Sequence, residues 1–265
     1  MQKHITDNIL CRAKNIDGDD YLNKEMIYFI GDLHGGEANE MPFLNTTKFP
    51  EQKQMTKNDV LIQTGDFGMY WSYPDTKYFK REEHYLNWIA KRNYTFLFVD
   101  GNHENFNIIN ALPTKQLFGG LVHFDRRKCG CIYHLIRGEV YTINNKKCLA
   151  IGGATSNDKE HRTLDISYWE QETLNYKEQD KILQAIEDNP DIDMIISHTF
   201  PSFIIDEMLG NSIKKTCLVS IFLDEVYKLL KPKLWIGGHL HVNKDIQYEN
   251  TRFICNYKNN PVKIA

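Results

Sequence analysis

Acidic and imidazole side chains follow several apolar segments of this sequence, at the points where those segments end. The first apolar run ends at Ile30 and is followed by Gly31, Asp32 and, two residues later, His34. Apolar residues bounded by glycine indicate a short buried strand. Alternate residues of an extended segment project to the same side, so Asp32 and His34 can reach one point. An oxygen and a nitrogen donor that converge in this way could bind a divalent metal ion.

The same design recurs along the chain, at the ends of five apolar segments. The eight residues that follow them are Asp32, His34, Asp66, Asn102, His103, His198, His239 and His241. Any one of these histidines is compatible with an ordinary hydrogen-bonded structural role. Because five of the ten histidines in the chain follow apolar segments, the set favours a shared functional site.

The elements predicted between these residues explain how they could meet. Strands alternate with a helix over about residues 76–92, and this order is typical of βαβ units with a largely parallel sheet. Ligands bind at the carboxyl ends of the strands in such sheets. Residues 121–151 predict an antiparallel meander that begins a second sheet, with a hairpin turn at 144–146. Further helices are predicted over about 169–188 and 218–230, and short strands over 253–255 and 262–264.

Seven of the eight residues can form two metal sites. Mixed carboxylate, amide and imidazole donors suit Mn²⁺, Fe²⁺/³⁺ or Zn²⁺ better than Ca²⁺. Two such ions are a recurring device for hydrolysing phosphate esters, because they clamp the phosphate oxygens and lower the pKa of a bridging water. The leaving alkoxide then needs a proton, and a nearby histidine is a natural donor. His103 is the candidate left over once the ligands are assigned.

The ordered motifs Asp-x-His, Gly-Asp, Gly-Asn-His-Glu, a lone His and Gly-His-x-His resemble the calcineurin-like metallophosphoesterase superfamily. This resemblance implies a four-layered α/β/β/α sandwich of two mixed sheets flanked by helices. It also implies that Asp32, His34 and His241 bind one metal, that Asn102, His198 and His239 bind the other, and that Asp66 bridges both. His103 would be the catalytic acid. The segments 134–138 and 152–158, with Arg162 and Trp169, resemble a bacterial and bacteriophage subgroup that is mostly described only as metallophosphoesterases.

One departure from the superfamily bears on the substrate. Its protein phosphatases continue Gly-Asp with an Asp-Arg-Gly element, whereas residues 67–71 here are Phe-Gly-Met-Tyr-Trp. A phosphoprotein substrate is therefore disfavoured. Arg137 and Arg162 could bind phosphate instead, because a guanidinium suits it bidentately, although each is equally compatible with a solvated surface role. His134 and Asp158 are weaker candidates.

An aromatic segment follows the second motif. Met69, Tyr70, Trp71 and Tyr73 could form a lip that stacks a base. A role in the core or in a packed loop is favoured over that function.

Composition places the chain among globular proteins of ordinary polarity, with 42% hydrophobic and 25% charged residues. We interpret residues 1–25 as an N-terminal extension and residues 26–265 as a single domain. No membrane segment or signal peptide is recognised. The six scattered cysteines favour free thiols in a reducing cytoplasm. The net charge of −3 does not support a nucleic-acid partner.

The sequence therefore predicts a cytoplasmic, dinuclear-metal phosphoester hydrolase that uses a metal-bridging hydroxide. The missing Asp-Arg-Gly element favours phosphodiester or nucleotide substrates. Alternatives are a phosphomonoesterase, a nuclease, and a catalytically idle metal-binding scaffold. The sequence specifies neither the oligomeric state nor the native metals.

Overall fold

The computed structural model describes residues 25–35, 44–156, 158–210, 217–258 and 261–264. Nearly all of the predicted N-terminal extension lies outside the described residues, as does Cys11. The other five cysteines are free thiols. Among the described helices, none has the length and apolar content needed to cross a membrane.

The first sheet has seven strands in the spatial order β13-β1-β2-β3-β6-β5-β4. These strands are β1 (Ile27–Ile30), β2 (Val60–Thr64), β3 (Thr95–Val99), β4 (Thr114–Leu117), β5 (Gly120–Arg127), β6 (Gly130–Leu135) and β13 (Val262–Ile264). The pairs β1-β2, β2-β3 and β3-β6 are parallel, and the other neighbours are antiparallel. The three strands that carry predicted site residues therefore end at the same edge.

The second sheet has six strands in the spatial order β11-β12-β10-β9-β8-β7. They are β7 (Val140–Ile143), β8 (Lys146–Ile151), β9 (Met194–Ser197), β10 (Leu234–Gly237), β11 (Lys244–Tyr248) and β12 (Thr251–Cys255). The four central strands are parallel. The predicted hairpin between β7 and β8 is confirmed, because Asn144 and Asn145 adopt the positive φ values that a two-residue turn requires.

The helices cover the outer faces of both sheets. They are α1 (Phe79–Ala90), α2 (Phe106–Ile109), α3 (Tyr176–Asp188), α4 (Ser202–Leu209) and α5 (Leu218–Leu230), with short 3-10 helices at Pro50–Lys53, Lys159–His161 and Glu170–Glu172. In β3 the pleat directs Leu97 into the core between the sheets and Phe96 into the core under α1. In β9 it directs Ile196 between the sheets and Ile195 against α3 and α5. The predicted four-layered α/β/β/α sandwich is confirmed.

Two local predictions differ from the structure, and some elements were not predicted. The segment around β6 pairs in parallel with β3 and extends the first sheet, so the second sheet begins only at β7. The helix predicted from about residue 169 starts at Tyr176, because Asn175 is its N-cap and forms a capping box with Glu178 in the first turn. Helix α4 was not predicted; it follows Pro201, a residue that is well tolerated where helices begin. Strand β11 was also missed.

Candidate metal centre and active site

The eight predicted site residues lie in five loops that follow parallel strands. The loops after β1, β2 and β3 belong to the first sheet, and those after β9 and β10 belong to the second. The main-chain N–H of His239 donates a hydrogen bond to Asp32 Oδ1 at 2.9 Å, which ties the two sheets together at the site. The polar residues predicted from separate motifs are thus gathered where the carboxyl ends of both sheets meet.

Several of these residues adopt a left-handed backbone. Their φ values are 50° for Asp32, 48° for His34, 55° for Asp66, 65° for His239 and 57° for His241. Residues other than glycine rarely adopt this conformation, and such strain is concentrated at functional sites.

Two glycines allow the loops to approach one another closely. A Cβ atom at Gly65, whose φ is 90°, would overlap the ring of His198. A Cβ atom at Gly101 would overlap the carboxylate of Asp66. Each glycine therefore leaves space for a potential ligand from a different loop: Gly65 for His198 and Gly101 for Asp66.

The first cluster of potential metal ligands consists of Asp32, His34, Asp66 and His241. The Nε2 atoms of His34 and His241 are 3.1 Å apart. His34 Nε2 lies 3.7 Å from Asp66 Oδ2, and His241 Nε2 lies 3.8 Å from Asp32 Oδ1. Burial lowers the pKa of His34 to about 4, so its imidazole is neutral at neutral pH and can act as a ligand.

The second cluster consists of Asp66, His198 and His239, so Asp66 is common to both. His198 Nδ1 lies 2.8 Å from the Thr64 carbonyl and donates to it, which directs Nε2 toward Asp66 Oδ1 at 3.3 Å. Burial disfavours the charged ring, but the charge of Asp66, its hydrogen bond to the ring, the charge of Asp32 and the Thr64 carbonyl together raise the pKa of His198 to about 9. The same attraction holds the pKa of Asp66 well below its usual range despite burial.

Asn102 joins the second cluster through its side-chain oxygen. Its Oδ1 lies 3.1 Å from His198 Nε2, and its amide nitrogen donates to Ser156 Oγ at 2.9 Å. The bond to Ser156 orients the amide so that its oxygen faces the cluster. Carboxylate, amide and imidazole donors in two groups with a shared carboxylate fit two divalent ions.

His103 lies beside the clusters and contacts Arg162. The guanidinium nitrogens of Arg162 lie 3.3 Å from His103 Nδ1 and 3.4 Å from His103 Nε2, so the guanidinium faces the ring. The Nε atom of Arg162 pairs with Asp158 at 2.9 Å. The structure therefore places Arg162 and Asp158 at the candidate site.

Arg137 lies elsewhere and is already occupied. It is only 5% exposed and donates to the Asp100 carboxylate, to Glu178 and to the Gln171 carbonyl. His134 contacts the other oxygen of Asp100 at 2.9 Å. We therefore do not expect Arg137 or His134 to contact substrate phosphate. Their contacts hold the Asp100 carboxylate in place, and Asp100 begins the loop that leads to Asn102.

Three residues that support the site were given no role by the sequence interpretation. Glu104 is fully buried, and its carboxylate accepts from the main-chain N–H groups of Phe67 at 2.7 Å and Gly68 at 3.0 Å. Asn105 donates to the Trp71 carbonyl at 3.1 Å. Together with Ser156, they hold neighbouring loops in register. For Glu104 and Asn105, the sequence signal was the run of polar residues that directly follows the buried strand β3.

Of the predicted aromatic segment, Met69 and Tyr70 are buried, as a packed-loop role requires. Trp71 is half-buried and Tyr73 is exposed.

Sequence comparisons place this site within a known family. The calcineurin-like phosphoesterase family model matches residues 26–243. The lariat debranching enzyme of Schizosaccharomyces pombe is 25% identical over 232 residues, covering 76% of this chain and 48% of the relative. That of Entamoeba histolytica is 27% identical over 220 residues, covering 74% and 53%. The chain spans about half the length of the curated relatives it matches.

The chain also resembles solved structures at low sequence identity. The GAP50 anchor of the inner membrane complex of Plasmodium has a TM-score of 0.50 and 11% identity, covering 89% of this chain and 72% of that one. The phosphopantetheinyl hydrolase of Mycobacterium tuberculosis has a TM-score of 0.47 and 14% identity, covering 89% and 90%. The superfamily indicated by the ordered motifs is confirmed by the family match. The chain belongs to the calcineurin-like phosphoesterases, a family of metal-dependent hydrolases that act on phosphate esters.

Proposed function

We propose that this chain hydrolyses phosphodiesters with two divalent metal ions. The observation that carries the proposal is the shared carboxylate: Asp66 belongs to both clusters, and all potential ligand atoms within each cluster lie within 4.8 Å of one another. Two bound ions would neutralise phosphate charge and lower the pKa of a coordinated water. The donor types favour Mn, Fe or Zn over Ca.

The ligands divide between the ions according to their positions. Asp32, His34 and His241 would hold one ion, and Asn102, His198 and His239 would hold the other, with Asp66 binding both. The Thr64 carbonyl accepts a hydrogen bond that orients His198, and the Ser156 hydroxyl accepts one that orients Asn102. Such outer partners keep metal ligands in one conformation and preserve metal affinity.

Arg162 would bind the phosphate of the substrate. Its guanidinium lies beside His103, and Asp158 holds its Nε atom, so the two terminal nitrogens face the site. A phosphate that enters this space would replace the contacts between Arg162 and the His103 ring. Bidentate hydrogen bonds from a guanidinium to phosphate are strong and directional.

His103 would protonate the leaving oxygen. Its main-chain N–H donates to Asp66 Oδ1 at 2.8 Å, which fixes the residue next to the carboxylate shared by the clusters. A proton donor held at the rim of the metal centre can act as the leaving group departs.

A diester substrate is favoured over a phosphoprotein for two reasons. Asp66 is followed by Phe67 and Met69, which are fully buried, in place of an Asp-Arg-Gly element. The curated relatives are named lariat debranching enzymes, and the distant similarity to them favours a phosphodiester. A phosphomonoesterase or a nuclease is the alternative within this chemistry. A catalytically idle scaffold is disfavoured because every expected ligand position is filled.

The substrate class can be tested with two chromogenic esters. The metal-stripped protein, reconstituted with Mn²⁺, is assayed against bis-para-nitrophenyl phosphate and para-nitrophenyl phosphate. A higher kcat/KM for the diester is expected. A preference for the monoester would favour the phosphatase alternative, and inactivity toward both with two metals bound would favour the scaffold.

A further inference from the structure

Two cavities open from the metal centre, and His103 lines both. The phosphate cavity, of about 220 Å³, is lined by Asp66, Asn102, His103, Ser156, Asp158, Arg162, His239 and His241. The aromatic cavity, of about 250 Å³, is lined by His34, Gly35, Gly68, Trp71, Ser72, Tyr78, Arg81, Glu82 and His103. His103 therefore lies between the phosphate cavity, which is lined by potential metal ligands, and the aromatic cavity, which is lined by Trp71, Tyr78, Arg81 and Glu82.

This arrangement determines where the leaving group must lie if the proposed function is correct. A phosphate held by the metal ligands and Arg162 occupies the phosphate cavity. The general acid has to be within hydrogen-bond reach of the leaving oxygen. Because His103 also lines the aromatic cavity, a leaving group that extended into that cavity would lie within reach of its ring.

The walls of the aromatic cavity carry the chemistry that binds a nucleotide. Trp71 is half-buried and packs edge-on against the buried ring of Trp169, with centroids 5.2 Å apart. Tyr78 is 53% exposed, and the charged groups of Lys77 and Arg81 lie 5.3 and 5.5 Å from its ring centroid. Aromatic rings stack bases, and basic side chains follow the phosphates of single-stranded nucleic acid.

The position of Trp71 is fixed before any ligand binds. Its main-chain N–H donates to Glu82 at 3.2 Å, and its carbonyl accepts from Asn105 at 3.1 Å. Glu82 also accepts from the Ser72 main-chain N–H and hydroxyl, so its carboxylate is held by the loop at the wall of the cavity. A preformed stacking surface reduces the entropy lost when a ligand binds.

We infer that the aromatic cavity binds the nucleotide that departs from the phosphodiester. The base stacks on Trp71, and Arg81 contacts the next phosphate of the chain. The cavity volume lies below the range of about 300–1,000 Å³ for drug-sized ligands, which suits a single nucleoside. This inference names the leaving group of the proposed reaction and rests on that reaction.

The base contact is tested with Trp71→Leu and with Trp71→Phe, which keeps a ring. The substrates are adenylyl-adenosine, as its 2′,5′ and 3′,5′ isomers, and bis-para-nitrophenyl phosphate. Trp71→Leu should lower kcat/KM for the cleaved dinucleotide by at least about fivefold, the smaller loss expected for one stacked base, while the metal content stays unchanged. Trp71→Phe should recover most of the lost kcat/KM.

The phosphate contact is tested with Arg81→Gln. This variant should lower kcat/KM for the trinucleotide of adenosine, which carries a neighbouring phosphate, by a larger factor than it lowers the value for the dinucleotide, and equal factors would contradict the phosphate contact. Tyr176→Leu is the matched control for Trp71→Leu, because Tyr176 is an exposed aromatic residue that lines neither cavity.

The outcomes separate this inference from the proposed function. If the protein cleaves bis-para-nitrophenyl phosphate but neither dinucleotide, or if Trp71→Leu leaves kcat/KM for the cleaved dinucleotide unchanged, the nucleotide cavity is wrong and phosphodiester hydrolysis stands. If the metal-loaded protein cleaves no diester, the proposed function fails and the inference fails with it. Because the nitrophenyl ester reports an intact metal centre, a variant that does not fold is recognised by loss of activity on every substrate.

Discussion

Asp66 Oδ1 accepts a hydrogen bond from the main-chain N–H of His103 at 2.8 Å. One carboxylate thus belongs to both ligand clusters and also fixes the residue proposed as the general acid. A disturbance at Asp66 should therefore affect metal binding and proton transfer together, whereas a disturbance at the His103 ring should affect proton transfer alone.

Asp66→Asn is expected to reduce metal binding and activity. Removing a residue that hydrogen-bonds to a metal ligand costs about 10–100-fold in metal affinity. Neutralising a ligand that two ions share should therefore lower the metal affinity by at least about 100-fold. Metal content after dialysis and kcat/KM for bis-para-nitrophenyl phosphate measure the two effects. Asp191→Asn is the control, because its side chain is 66% exposed and pairs with Lys147 at the surface. Full metal content in Asp66→Asn would contradict the shared-ligand assignment.

His103→Ala should retain both metals and lose activity according to the leaving group. An alkoxide needs a proton, whereas para-nitrophenolate departs without one. We expect a loss of about 10²–10⁴-fold in kcat for a dinucleotide, the usual contribution of a positioned acid, and a much smaller loss for bis-para-nitrophenyl phosphate. Equal losses on both substrates would show that His103 does not act as the acid.

Arg137→Ala is expected to destabilise the fold strongly. The change removes the guanidinium from Asp100, whose carboxylate is buried, and breaking a buried ion pair costs about 3–5 kcal/mol. The free energy of unfolding in urea measures the effect. Arg252→Ala is the matched control: its pair with Asp245 is about half exposed, and such pairs contribute about 0–1 kcal/mol. Similar losses in the two variants would contradict the structural role of Arg137.

The pH dependence of stability should include a contribution from His123. Its Nδ1 lies 3.0 Å from His134 Nδ1, and burial, with a smaller effect of His134, lowers its pKa to about 4. Between pH 6.5 and 4 the unfolded chain binds more protons at this residue than the folded chain. The contribution is therefore present above pH 6.5 and is lost as the pH falls toward 4. The charged residues that line the neighbouring cavity are Asp100, Arg137, Glu178 and Lys181.

This contribution is measured by urea unfolding of the metal-stripped protein at pH 7 and pH 4.5. The His123→Gln substitution should reduce the loss of unfolding free energy between pH 7 and pH 4.5. The reduction should be on the order of 1 kcal/mol, since the side chain is only partly buried. The control is His161→Gln, whose side chain is 79% exposed. Identical pH profiles for the wild type and His123→Gln would contradict the prediction.

The architecture and the gathering of the site residues could be predicted because each signal was local. Where an apolar segment ends in a glycine and a polar residue, as at Gly65 and Asp66, the polar residue is expected at the end of a strand. This expectation needs no knowledge of the rest of the chain. Pairing between distant strands has no such local signal. For that reason β6 was assigned to the wrong sheet, since only tertiary contacts decide that it pairs with β3.

The two arginines illustrate the same limit. Arg137 and Arg162 were equivalent candidates for phosphate binding in the sequence. Their difference arises from partners far away in the chain: Asp100 and Glu178 enclose Arg137, whereas Arg162 meets His103. A guanidinium binds whichever acceptor the fold brings to it.

The central claim, a reaction that depends on two ions sharing Asp66, is tested most directly by metal titration. The chelator-treated protein is titrated with Mn²⁺ while bound metal and hydrolysis of bis-para-nitrophenyl phosphate are measured in the same samples. We predict negligible activity without metal and a rise that reaches its plateau at two ions per chain. Undiminished activity in the metal-free protein, or a plateau at one ion per chain, would contradict the dinuclear account.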